Sequence, residues 1–157
     1  MSRTEEKLKA LGVVLPTPAT PVANYLPFVV SGASLVISGQ LPFGPDGRLA
    51  PEHEGKLGGA VSPEAGKAAA RLCVVNVLAQ AKAALGDLDR IVRCVRLGGF
   101  MNAAPGFTAL PGVMNGASDF MVEALGEAGR HARSTVGVAE LPLNSAVEVE
   151  ALFEILS

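Results

Sequence analysis

The chain has 157 residues, 49% of them apolar and 18% charged, with a net charge of −2 and a pI near 5.7. This is long and apolar enough to build one hydrophobic core, and it excludes a disordered chain. Weak acidity, a single Tyr and no Trp exclude the basic, aromatic-studded surface that nucleic-acid binding requires.

The N-terminal run MSRTEEKLKALG is charged, with no apolar leader core or cleavage pattern. No run of 18 apolar residues follows it, so a cytoplasmic protein with no membrane partner is expected. Thr4 to Leu11 reads as a short helix, with Thr4 as N-cap and Gly12 as its stop. Pro16, Pro18, Pro21 and Pro27 then predict an extended arm over the surface. Residues 1–21 are thus a helix and arm ahead of one domain, 22–157.

FVVSG and SLVISGQLPF carry strand signals, and GPDG (Gly44 to Gly47) predicts a turn between the second run and RLAP, hence a hairpin or meander. Ser62 and Pro63 are an N-cap and first helical residue. From Glu64 to about Leu85, the residues Ala68, Leu72, Val75, Ala79 and Lys82 or Ala83 predict an amphipathic helix ended by Gly86. Asp87 to Phe100, containing IVRCVRLGGF, reads as a strand, and GGFMNAAPGFTALPG as a loop. A second helix is expected from Asn115 to Ala128, with Phe120, Met121, Ala124, Leu125 and Ala128 on one side. The glycine runs GKLGGA and VRLGGF lack phosphate-loop spacing and are read as loops.

Two strands close the chain in HARSTVGVAELPLNSAVEVEALF. In the last, Val147, Val149, Ala151, Phe153 and Ile155 share one face, and Ala146, Glu148, Glu150 and Leu152 the other. The order predicts an α+β fold with a sheet of five to six strands and both helices on one face. The uncovered face predicts packing against further copies, a homo-oligomer. Cys73 and Cys94 are expected as buried small hydrophobes, and His53 and His131 as surface residues. No metal-ligand spacing exists, and no cofactor is expected.

Charged groups at strand positions need a partner or water. Arg133 shares a face with Thr135, Gly137 and Ala139, small residues that leave room for a ligand. Its guanidinium could fork onto a substrate carboxylate, or could pair with Glu148 or Glu150. A hairpin about LPLNS would hold Arg133 and Glu148 roughly 20 Å apart at about 3.3 Å per residue. A pairing or a joint site then demands a subunit boundary, or strands that are not hairpin neighbours. Glu150 is expected to pair with Arg93 or Arg96.

ARSTVGVAELP followed by VEVEA resembles the signature of the RidA/YjgF family, the reactive-intermediate deaminases. SGQLP (Ser38 to Pro42), Tyr25 and Asn115 are similar to further family positions, and the resemblance runs from about Val22 to Leu156. It implies a chorismate-mutase-like fold assembled as a homotrimeric barrel, with helices outside and clefts between subunits. It also implies hydrolysis of small enamine or imine acids, such as 2-aminoacrylate, to the 2-keto acid and ammonia. On the same ground Arg133 would bind the carboxylate, Glu148 would position water, and the Gly39 backbone would line the pocket. Tyr25 and Asn115 could add hydrogen bonds to substrate, or be an interface aromatic and a helix cap. Thr135 stands where many members carry Cys, which removes any thiol role. The N-terminal segment and the GGFMNAAPGFTALPG loop exceed those of compact members and imply a divergent branch. The alternative is a non-catalytic protein that holds a 2-keto acid or other metabolite in the same cleft. An endoribonuclease or translation inhibitor ranks below both, and a chorismate mutase lower still.

Overall fold

The computed structural model describes residues 1–18, 21 and 23–157. Helix α1 (Arg3–Ala10) opens with a reciprocal cap: the Ser2 hydroxyl accepts the Glu5 N–H, and the Glu5 carboxylate accepts the Ser2 N–H. Thr4 is therefore not the N-cap. Its N–H and hydroxyl instead donate to Asp89, 3.0 and 2.8 Å away, on the turn before the third strand. Leu8 enters the core and Glu5 pairs with Lys82, so the N-terminal helix is docked on the domain. Of the arm, Val13 and Leu15 pack against the core, while Ala19, Thr20 and Val22 lie outside the described residues.

Strands β1 (Phe28–Ser31) and β2 (Ser34–Gln40) form an antiparallel hairpin about Gly32 and Ala33. GPDG does turn, with the Gly47 N–H on the Gly44 carbonyl, but it closes only a lone bridge between Phe43 and Leu49. After α2 (Pro63–Leu85) come β3 (Ile91–Asn102), α3 (Leu110–Leu125), β4 (Ala132–Val138) and β5 (Val147–Ile155). The sheet order is β1-β2-β5-β3-β4, with β4 parallel to β3 and every other neighbour antiparallel. This is the expected α+β layer: five strands, with α2 and α3 packed together on one face.

The Ser62 cap, Pro63 start and left-handed Gly86 stop of α2 are as expected, but its burial is not a stripe. Cys73 to Ala81 are buried all round, whereas Ala68 and Ala83 are exposed. The helix middle is enclosed by the sheet and α3, so helical periodicity fades where no side faces water. By length and composition α2 could cross a bilayer, yet 67% of its apolar window is buried in the fold, as for a core helix. The run read as a loop is largely ordered: β3 continues through Gly98 and Gly99 to Asn102, and α3 starts at Leu110 with Pro111 in its first turn. Asn115 thus lies inside a helix and not at its cap.

Ala146 precedes β5 and is buried, while Val147, Val149, Ala151, Phe153 and Ile155 face the helices as expected. Both cysteines are buried; burial raises the Cys94 thiol to about 12 and pushes the Cys73 thiol well above its ordinary value. His53 is buried rather than on the surface, because its backbone N–H bonds to Ala50 O and its carbonyl accepts the Ala146 N–H, drawing the residue inward.

Candidate active site

Side chains alternate across a strand, and this splits the expected site residues between two faces of one sheet. Arg133 pairs with Leu97, whose side chain is in the core, so Arg133 and Thr135 point to the helix face at the β4 edge. Glu148 sits between the buried Val147 and Val149 and points to the open face. It stands in a cross-strand row with Phe100 and Val136, three residues further along β4 than Arg133. Strands β4 and β5 are not neighbours, since β3 lies between them. The pairing of Arg133 with Glu148 or Glu150 is therefore ruled out within one chain.

Arg133 bonds neutral groups instead. Its Nη1 donates to Asn115 Oδ1 at 2.9 Å and to Ser118 Oγ at 3.1 Å, both one helical turn apart on α3. His131 Nδ1 lies 2.6 Å from the Gly129 carbonyl, which can only accept, so the neutral ring carries its proton on Nδ1. Its Nε2 then accepts the Ser118 hydroxyl proton at 2.9 Å. The chain of donors from Arg133 through Ser118 to His131 fixes one edge of the guanidinium, and among the described residues Arg133 has no salt bridge. The Thr135 hydroxyl beside it is enclosed without a hydrogen-bond partner.

The second cluster lies at the end of β2. The Glu148 carboxylate rests across Gly39, where an added Cβ would come within 2.9 Å of Glu148 Cδ. Two residues further along β5, Glu150 lies in the same way across Gly98 of β3, and makes no ion pair with Arg93 or Arg96 among the described residues. The two carboxylates are adjacent on the open face. Burial first, and the Glu150 charge second, raise the Glu148 carboxyl above its ordinary range. Glu148 and Gly39 line a cavity of about 620 Å³ with Tyr25, which is 59% exposed.

Leu143 on the rim of this cavity adopts φ 56°, as does Asn144, in the left-handed region that favours glycine. They are held there by buried Asn102, whose Nδ2 donates to Gly55 O, Ser145 O and Asn144 Oδ1, while its Oδ1 accepts from Lys56 at 2.7 Å.

The structure thus brings Tyr25, Gly39 and Glu148 together in one half-site, and Asn115, Thr135 and Arg133 in another. Reading the sequence missed Ser118 and His131; the spacing Asn115 to Ser118, three residues on one helix, was the available signal. It also missed Asn76 and Gln80, which line the cavity from α2 and are one turn apart in an otherwise apolar run.

Residues 5–155 match the family described as "YjgF/chorismate mutase-like, putative endoribonuclease". Protein TCP17 of Trypanosoma cruzi is 47% identical over 154 residues, covering 98% of this chain and 94% of its own. The crystal structure of Atu1372, a protein of unknown function from Agrobacterium tumefaciens, superposes with a TM-score of 0.89 at 46% identity over 98% of this chain and 94% of that one. RidA from an Antarctic Psychrobacter shares the fold at a TM-score of 0.61 and 28% identity, covering 88% and 94%. The near-complete coverage by the first two means that they match the N-terminal segment as well as the domain.

Proposed function

The chain belongs to the YjgF/chorismate mutase-like family, and from that premise we propose that it hydrolyses small 2-imino and enamine acids to the 2-keto acid and ammonia, in a cleft formed where two copies of the chain meet. One observation carries this reading: Arg133 and Glu148 project from opposite faces of the same sheet, so neither half-site alone holds both an anion-binding cation and a carboxylate. A second copy whose Arg133 edge meets the Glu148 cavity would complete the set. The open face supports such assembly, because Val29, Val36 and Val136 are exposed on it. A homotrimer closed by these faces, working in the cytoplasm without a cofactor, is the form proposed.

The chemistry suits the groups present. The guanidinium of Arg133, with one edge held by Asn115 and Ser118, offers its remaining N–H groups to the substrate carboxylate. An imine carbon is already electrophilic, so orientation supplies much of the rate. Glu148, as carboxylate, accepts a proton from a water as its oxygen bonds to that carbon and the C=N electrons move to nitrogen. The nitrogen gains protons, the C–N bond breaks, ammonia leaves, and the hydroxyl loses its proton to give the ketone. Tyr25 lines the same cavity, and its hydroxyl is the group it can offer to the departing nitrogen or new oxygen.

The ribonuclease in the family's description is supported less well. The charged residue lining this cavity among those described is Glu148, which repels phosphate.

The test is a coupled assay in which an amino-acid oxidase or a serine/threonine dehydratase makes the imine and semicarbazide traps what survives. Wild type should suppress semicarbazone formation, and Arg133→Ala should not. Equal suppression by both would overturn the reading, while binding of 2-keto acids without turnover would favour the non-catalytic, metabolite-holding alternative.

A further inference from the structure

We propose that the Glu148 cavity extends into a side-chain pocket that selects imino acids with a long, neutral side chain ending in a hydroxyl or primary amide, over three-carbon substrates. The inference rests on the deaminase reading for its chemistry and on the cavity alone for its selectivity. At about 620 Å³ the space is in the range of sites for drug-sized ligands and far exceeds what 2-aminoacrylate needs. It runs from Glu148 past the end of β2 to α2, which lies on the other side of the sheet. Its walls are apolar: Pro16 and Pro18 of the N-terminal arm, Leu41 and Phe43 after β2, and Ala79 of α2.

Two amides on α2 break that wall. Both protons of Asn76 Nδ2 are spent, on Leu41 O at 2.9 Å and Phe43 O at 3.0 Å, which fixes the amide and leaves Oδ1 as an acceptor without a donor among the described residues. Gln80, one turn on, is only 7% exposed and has no hydrogen-bond partner among the described residues. Neither residue's free amide atoms are among the enclosed polar atoms left without a partner, so they open onto the cavity, where a ligand group can take the place of water on them. A hydroxyl or primary amide does this, since it donates to Asn76 Oδ1 and accepts from Gln80 Nε2. A carboxylate tip suits the pocket poorly, because no cation among the described residues lines it and Glu148 does.

The experiment has two arms. In the first, imines made by an amino-acid oxidase from alanine, phenylalanine, tyrosine and glutamate compete in the semicarbazide assay. In the second, calorimetry measures binding of pyruvate, phenylpyruvate, 4-hydroxyphenylpyruvate and 2-oxoglutarate, independently of turnover. In both, the 4-hydroxyphenyl compound should be preferred over the phenyl compound and over the three-carbon compound by about tenfold or more, with the diacid weakest. Gln80→Met should cut the hydroxyl-to-phenyl ratio about tenfold. Thr17→Trp, at an exposed position on the cavity wall, should cut the ratio of large to small substrates by a similar factor without touching the core. Equal handling of all four side chains, or ratios unmoved by both variants, overturns the pocket. Ordered keto-acid binding with no imine consumption would instead sink the deaminase reading and leave the pocket standing.

Discussion

Glu148 lies on Gly39: a Cβ at position 39 would come within 2.9 Å of Glu148 Cδ, so the bare backbone of β2 is the platform on which the carboxylate rests. Gly39→Ala should swing the flexible Glu148 side chain away and leave the strand in place. Stability should change by less than about 1 kcal/mol, while kcat/KM falls about a hundredfold from misplacement of the carboxylate. Unchanged kcat/KM in the imine assay would show that Glu148 does not need this position.

Burial and the neighbouring Glu150 charge hold the Glu148 carboxyl above its ordinary range. The acid limb of kcat/KM should therefore fall at a pH above that of a free glutamate, since the working form is the carboxylate. Glu150→Gln removes the like charge and should shift this limb downward. The stability sign follows from the same shift. A carboxyl raised in the folded state loses stability as pH rises from its unfolded to its folded value. Glu148→Gln should then raise Tm at neutral pH, with the gain vanishing below the ordinary carboxylate range; a lower Tm at pH 7 would contradict it.

A cleft shared between copies makes a mixing prediction. Arg133→Ala and Glu148→Gln should each be inactive alone, yet co-assembled chains should recover about a quarter of wild-type activity, because random cyclic assembly joins an intact arginine side to an intact glutamate side at one boundary in four. No recovery from verified mixed oligomers would place both residues of the working site in one chain.

Asp89 anchors α1. Burial pushes its carboxyl up, but the N–H groups of Arg3 and Thr4, then the Thr4 hydroxyl and Arg3 guanidinium, outweigh that and hold it at about 2. A depressed carboxyl stabilises the fold above its unfolded value and loses that contribution as pH falls toward 2. Asp89→Ala should expose the α1 amides to rapid hydrogen exchange and cost about 1 kcal/mol. Retained α1 protection would show that Leu8 packing suffices.

Asn102 is fully buried, bonds two loop carbonyls and the Asn144 side chain, and accepts from Lys56. Asn102→Ala should cost about 2–3 kcal/mol in denaturant unfolding, since it strands those partners. Leu143→Asn, at a left-handed position that Asn tolerates, should instead stabilise by up to about 1 kcal/mol. A destabilised Leu143→Asn would mean that Leu143 packing outweighs its backbone strain.

The sequence by itself determined the element types, the α+β class, the capped α2, the buried cysteines and the alternation of β5, because caps, turns and period-2 burial are local. It also carried the family signature at Arg133 and Glu148. It misplaced the start of α3 and read Gly98 and Gly99 both as the end of a strand and as the start of a loop, because those glycines answer to side chains packed across them rather than to turn chemistry. Only the tertiary structure decided the strand order. By setting β3 between β4 and β5, it sent Arg133 and Glu148 to opposite faces of one sheet, and which face a charged side chain meets is fixed by pairing between strands distant in sequence, not by any local run of residues.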